Sequence, residues 1–255
     1  MTELTRSLRV QHQFALFIKE KITIHRNENI LHTGFCLAEL SLQELVSSRL
    51  EYLHPKEYKY YSTLQHDKRR HSYLLGRYCS KHALGKLIGL QQSNEIFIDS
   101  GVFNQPIVTS MLPNNIQVSI SHCDNAGVAI AFHESHPMAI DIERTDIDRS
   151  MAFNIDQLMT YNELKLISSF INDENLRMVI LWSIKEALSK VIKCGLTIPL
   201  ELLEINHCRK ESTDLIVEFK NFLQYKCIIK MIDKYVCTIV LPKNSVMKNH
   251  NLLNQ

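Results

Sequence analysis

Trp182-Ser183-Ile184-Lys185-Glu186-Ala187-Leu188-Ser189-Lys190-Val191-Ile192 has the spacing of an amphipathic helix, and its second half occurs twice in the chain. Ala187-Leu188-Ser189-Lys190-Val191-Ile192 aligns with Ala83-Leu84-Gly85-Lys86-Leu87-Ile88 at a constant offset of 104 residues, and after a two-residue insertion Gly195-Leu196 meets Gly89-Leu90. Short apolar helices resemble each other by chance. Here, however, the order of helices followed by strands repeats as well, which predicts two related halves around a pseudo-two-fold axis. The division falls at 1–137 and 138–243, with a polar tail over 244–255 expected to be disordered. His82 stands where the second copy has Glu186, so chemistry carried by Glu186 would leave one active copy.

The first copy ends a helix over 67–88, with Leu74, Leu75, Tyr78, Cys79, Ala83, Leu87 and Ile88 as its apolar stripe and Gly89 as its stop. The second is capped by Asn172 or Asp173, runs to about 193, and is ended by Gly195. Upstream, Ser41 and Glu44 form a capping box before a helix, and Pro55 suits the first turn of another. Residues 1–35 read as strand or irregular structure, with a charged turn at 19–29. Strand patterns cover 95–99, 117–121, 126–132 and 138–143, with a hairpin turn expected at 133–137. A further helix is expected at 157–171 and strands at 201–206, 215–219, 225–232 and 235–241.

The 255 residues are 45% hydrophobic, enough for a substantial core. With 29 Lys+Arg against 27 Asp+Glu, a net charge of +2 gives no electrostatic case for nucleic acid or an anionic membrane. The longest stretch without Asp, Glu, Lys or Arg, 100–123, is too polar to span a bilayer. The opening MTELTRSLRVQHQF has no apolar signal region, so an intracellular, cytoplasmic chain is expected. Seven cysteines, odd in number and without a C-x-x-C pair, describe neither a disulfide framework nor a zinc knuckle.

Walker loops, G-x-G-x-x-G and G-x-S-x-G are absent from the sequence. Three groups of acids and bases remain. Asp141 and Glu143 leave one face of a strand while Ile140 and Ile142 point to the core. Two converging carboxylates favour a cation, and oxygen ligands suit Mg²⁺; a solvated edge strand is the plainer reading of that spacing. Trp182, Glu186 and Lys190 are four apart and share a helix face, although a Glu–Lys pair at this spacing is commonly just a helix salt bridge. Ser121-His122 closes a strand, where a lone histidine is more often structural. The H-x-x-H at His133 and His136 reads as an exposed turn.

Together, Ser119-Ile120-Ser121-His122, then Ala139-Ile140-Asp141-Ile142-Glu143, then Trp182-Ser183-Ile184-Lys185-Glu186 with Lys190, resemble the phosphopantetheinyl transferases of the surfactin-synthetase-activating type. Ser72-Tyr73-Leu74-Leu75-Gly76-Arg77 resembles the family's upstream helix and Phe103-Asn104-Gln105-Pro106 its phosphate loop, so the resemblance runs over about 55–200. It implies an α+β fold of two similar halves, working as a monomer with coenzyme A in the cleft between them. The implied reaction moves 4′-phosphopantetheine from coenzyme A to a serine of an acyl or peptidyl carrier protein. The carrier would serve fatty acid, polyketide or nonribosomal peptide synthesis. The resemblance also implies Mg²⁺, or Mn²⁺ in its place, on Asp141, Glu143 and Glu186; a general base at Glu186 or Glu143; and Lys190 on phosphate or the carboxylate face. His122 with Ser121 would hold the coenzyme's 3′-phosphate, helped by Lys56, Lys59 or Arg77.

Three residues depart from the family pattern. Ala139 replaces a glycine, Ser119 an asparagine, and Gln105 the lysine that meets the coenzyme phosphates, so one charge is lost there. A Mg²⁺-dependent pyrophosphate or phosphodiester hydrolase, and a non-catalytic carrier-binding module, remain the alternatives. Intact acids and Lys190 count against the second.

Overall fold

A computed structural model describes residues 16–90, 93–102, 104–109, 115–146 and 159–248. A long hairpin, β1 (Phe17–Arg26) and β2 (Asn29–Glu39), leads into α1 (Leu42–Tyr52), α2 (Pro55–Tyr61) and α3 (Asp67–Ile88). The short hairpin β3 (Phe97–Ser100) and β4 (Pro106–Thr109) precedes β5 (Ile116–Cys123) and β6 (Ala126–His133). The second half holds β7 (Ala139–Arg144), α4 (Tyr161–Ser168), α5 (Glu174–Val191), β8 (Ile205–Glu211), β9 (Asp214–Phe219), β10 (Tyr225–Ile232) and β11 (Tyr235–Pro242), with β12 (Ser245–Met247) last.

One antiparallel sheet has the order β12-β1-β2-β6-β5 and the other β7-β11-β10-β9-β8. Period-two alternation decides what each face meets. Phe35 and Leu37 of β2 join Ile140 and Ile142 of β7 in one buried cluster, so the sheets share an apolar layer. Cys36 and Ala38, on the other face of β2, pack with Leu74, Leu75, Cys79 and Ala83 of α3. A Cβ at Gly34 would collide with the Ala83 carbonyl, so glycine lets α3 lie close on β2. Beneath the second sheet, Ala139, Val236 and Val240 pack with Ile180, Ile184, Ala187 and Leu188 of α5. The result is helices, sheet, sheet, helices.

The helix signals act as read. Ser41 and Glu44 form the capping box of α1, and Pro55 opens α2. Asp173 caps α5, and Gly89 closes α3 at φ 74°. Other expectations give way. The charged turn narrows to Asn27-Glu28, and Lys19 lies inside β1. The segment 133–137 is not a hairpin turn, because β6 and β7 belong to different sheets and the chain crosses between them. His136 is not exposed: it is buried there, 2.7 Å from the Ser245 hydroxyl. That contact helps hold β12 against β1 within the stretch expected to be a loose tail; 249–255 lie outside the described residues. Leu200–Leu203 forms a 3-10 turn where a strand was expected, and β8 begins at Ile205. The helix expected over 157–171 is α4, shorter at both ends, with 157–158 outside the described residues.

Each half also buries a Lys–Glu pair at a matching place. Glu57, third residue of α2, lies 3.0 Å from Lys81 of α3, and Glu163, third residue of α4, lies 2.8 Å from Lys185 of α5. All four side chains are fully buried. Glu57 accepts the amides of His54 and Ile98, and Glu163 those of Thr160 and Ile205. Each carboxylate thus caps its own helix, ties the long helix to it, and receives a strand. Breaking one such pair leaves an uncompensated charge and costs about 3–5 kcal/mol.

Candidate active site

β5 and β7 meet where the two sheets adjoin, and the Ser119 hydroxyl of β5 accepts the Ile140 amide of β7 at 3.2 Å. The serine standing in place of the family's asparagine therefore joins the sheets. Beside this seam, α5 lies across β7 and α3 across β5, leaving a cleft of about 550 Å³. Ser121, His122, Glu143, Glu186, Lys190 and Arg77 line it, drawn from four separate elements.

Asp141 is buried just behind the lining, on the face of β7 that looks toward α5. Its Oδ1 lies 2.6 Å from the Lys190 ammonium and accepts the Ser121 hydroxyl at 2.7 Å, while Oδ2 accepts the Ser183 hydroxyl at 2.7 Å. Lys190 also donates to Ser121 at 2.9 Å. Ser183, seven residues before Lys190 on α5, was not singled out from the sequence; two helical turns put both on the face above β7.

Burial, then the negative charges of Asp141 and Glu186, push the Glu143 carboxyl up to about 7. Burial also raises Glu186, with Lys190 opposing and Asp141 adding to the shift. His122 lies at the solvent-facing end of β5. The surrounding protein, and then the positive charge of Lys190, hold its imidazole below the ordinary value. Burial, and then the charge of Glu143, drive the neighbouring Cys123 thiol up to about 12, which removes it as a thiolate nucleophile.

The remaining site residues lie elsewhere. Lys56 sits 5.1 Å over the Phe97 ring, and neither Lys56 nor Lys59 lines the cleft. Gln105 folds over Gly101 in the β3–β4 turn and lines an adjoining cavity of about 270 Å³, which also reaches Glu186 and Lys190. Trp182 packs against the core beneath α5. Tyr60 of α2 and Arg69 of α3 line the cleft without having been singled out, as does Tyr73 of α3, which was read only as part of the helix motif; the aim of these helices is not revealed by a linear reading.

The all-oxygen donors Asp141, Glu143 and Glu186 suit a hard divalent cation, and burial first, with the charge of Asp141 adding to it, raises Glu143 and Glu186, a cost that such an ion would offset. In this arrangement Lys190 supplies the positive charge at Asp141. Among the described residues no three His, Cys, Asp or Glu side chains are grouped closely enough to enclose a metal. The donor chemistry fits Mg²⁺, provided Lys190 releases Asp141.

Residues 137–240 match the family model of the 4′-phosphopantetheinyl transferase superfamily. That segment contains β7 and α5, so the superfamily resembled by the motifs is the one matched over the carboxylate-bearing half. The match does not separate the surfactin-synthetase-activating type from others. No curated protein matches the chain. Among solved structures, the holo-ACP synthase of Plasmodium yoelii is 19% identical over 43% of this chain and 95% of its own, with a TM-score of 0.35. A holo-(acyl-carrier-protein) synthase from Bacillus anthracis, solved in complex with CoA (3′,5′-ADP), is 18% identical over 46% and 96%, at a TM-score of 0.34. The holo-[acyl-carrier-protein] synthase from Neisseria meningitidis is 17% identical over 40% and 96%, at 0.33.

Proposed function

We propose that the protein transfers 4′-phosphopantetheine from coenzyme A to a serine hydroxyl of an apo carrier protein, releasing adenosine 3′,5′-bisphosphate. One observation carries the reading: Ser121 and His122 of β5, Glu143 of β7, and Glu186 and Lys190 of α5 converge on one cleft, two of those three elements lying inside the superfamily match.

In the reaction, the serine oxygen attacks the phosphorus that bears pantetheine. The bond from that phosphorus to the bridging oxygen breaks, and the adenosine bisphosphate leaves with the electron pair. The serine proton passes to a carboxylate in the cleft, Glu186 or Glu143, both within its lining. Lys190 moves from Asp141 to the pyrophosphate oxygens, a shift within reach of a flexible four-carbon stem. His122, at the cleft's open end, binds the 3′-phosphate. Mg²⁺, held by Glu143, Glu186 and the released Asp141, would offset charge on the pyrophosphate.

The three-strand run β2-β6-β5, which parallels β7-β11-β10 in the other sheet, and the two buried Lys–Glu pairs support two halves related by a pseudo-two-fold axis. A single chain supplying the whole cleft would act as a monomer. Adenosine 3′,5′-bisphosphate should appear only when coenzyme A, Mg²⁺ and an apo carrier are all present. Release without a carrier would instead identify a hydrolase.

A further inference from the structure

The buried ion pair of the first half has a member that its counterpart lacks. Glu57 Oε2 faces Lys81 at 3.0 Å and accepts the His54 amide at 2.9 Å; Oε1 accepts the Ile98 amide at 2.9 Å and lies 3.4 Å from Arg77 Nε. Glu163 has the same amide and lysine partners in the second half, and among the described residues Lys185 is its sole ion-pair partner. At the 104-residue offset, position 77 becomes Leu181, fully buried in the core. The pairing therefore closes without an arginine in one half, and the arginine of the other half serves something else.

Arg77 faces the cleft. Its Nη2 donates to the Ile98 carbonyl at 3.1 Å, its guanidinium lies 4.8 Å over the Tyr73 ring, and its side chain is 12% exposed. The contact with Glu57 is an ion pair without hydrogen-bond geometry, since Arg77 Nε has no hydrogen-bond partner. Glu143 and Glu186 line the same cleft. A guanidinium favours carboxylates, so one held back by Glu57 in a cleft that also presents Glu143 and Glu186 keeps part of its donor fork for an incoming anion.

We propose that Glu57 is a positioning residue that aims Arg77 at an anionic group of the bound coenzyme and keeps it off the reacting carboxylates. The proposal rests on the coenzyme-binding reading above. Lys81 neutralises Glu57 from the buried side, so one carboxylate serves both the helix junction and the cleft.

A double-mutant cycle tests it, with coenzyme A affinity of the full chain read by isothermal titration. Arg77→Ala should weaken binding roughly 10- to 100-fold, the range of a charge-assisted contact. Glu57→Gln with Lys81→Met removes the buried carboxylate and its lysine together, so that no fully buried charge is left alone, and leaves Arg77 present but unaimed. That pair should also cost at least about 10-fold, and adding Arg77→Ala should cost almost nothing more, because the contact is already lost. Should the pair unfold, Glu57→Asp, which shortens the carboxylate while leaving Lys81 a partner, takes its place in the cycle. Full additivity, wild-type affinity in the Glu57 variant, or wild-type affinity in Arg77→Ala would each overturn the proposal and leave the coenzyme-binding reading standing. A wild type that binds no coenzyme A overturns both.

Discussion

The ammonium of Lys190 lies 2.6 Å from Oδ1 of Asp141, one helix-borne cation closing on a carboxylate that is 2% exposed. The pair joins α5 to β7 and fixes the floor of the cleft. Lys190→Ala would leave Asp141 with two hydroxyl donors and no counter-charge. We expect a loss of about 1–3 kcal/mol of stability, read by urea unfolding, and at least about 100-fold in transfer rate. Asp141→Asn added to Lys190→Ala should recover much of the stability and none of the activity.

Asp141→Ala should abolish transfer and also destabilise the protein. The acid spacing alone argues that folding should barely change, since deleting one of several crowded carboxylates relieves repulsion. Three partners overturn that expectation: Ser121, Ser183 and Lys190 all spend hydrogen bonds on Asp141. Calorimetry of the variant should show a lower Tm than the wild type at neutral pH.

Glu143 gives a pH signature. Its folded value of about 7 lies above the ordinary 4.5, so the folded, cation-free protein holds this proton more tightly than the unfolded chain does. The stability it contributes is present below 4.5 and lost as pH rises through about 7. Glu143→Gln should therefore stabilise the chelator-treated protein at pH 8, by up to about 3 kcal/mol, and change little at pH 4.5. Unfolding at the two pH values checks the sign; equal gains at both would mean that the folded protein does not hold the Glu143 proton more tightly than the unfolded chain does.

Much of the fold was legible because local chemistry fixes it. Ser41 with Glu44, Pro55, Asp173 and Gly89 mark helix ends through orphan backbone groups, and Ile140 and Ile142 alternate inward as a strand requires. What was hidden depends on partners far along the chain. His133 to Pro137 has the composition of a tight turn whether its strands pair or part. Lys81 and Lys185 look like surface residues until Glu57 and Glu163 are brought beneath them. The cleft residues on β5, β7 and α5 could be found from motif order, whereas Lys56 and Lys59, on a short helix of undetermined aim, could not be placed.

The paired helices of the two halves can be compared directly. Glu186→Gln removes a proton acceptor from the cleft and should lower kcat by at least about 100-fold. His82→Gln, at the matching position of α3, should cost little; His82 stacks on Tyr78 at 4.1 Å, away from the cleft. Comparable losses at both positions would argue against a single active copy.

His122 separates binding from chemistry. A contact to the 3′-phosphate is alike in ground and transition states, so His122→Ala should raise KM for coenzyme A roughly 10- to 100-fold and largely spare kcat. Dephospho-coenzyme A should be handled about equally by both proteins. A loss of kcat on both substrates would give His122 a different role.

The transfer itself is most directly read as mass. Purified protein, coenzyme A and Mg²⁺ are incubated with apo acyl and peptidyl carrier proteins, and each carrier is weighed intact. The account predicts that at least one carrier gains a single phosphopantetheine, and that the gain vanishes when its acceptor serine is replaced by alanine. Coenzyme A consumed while every carrier keeps its apo mass would contradict it.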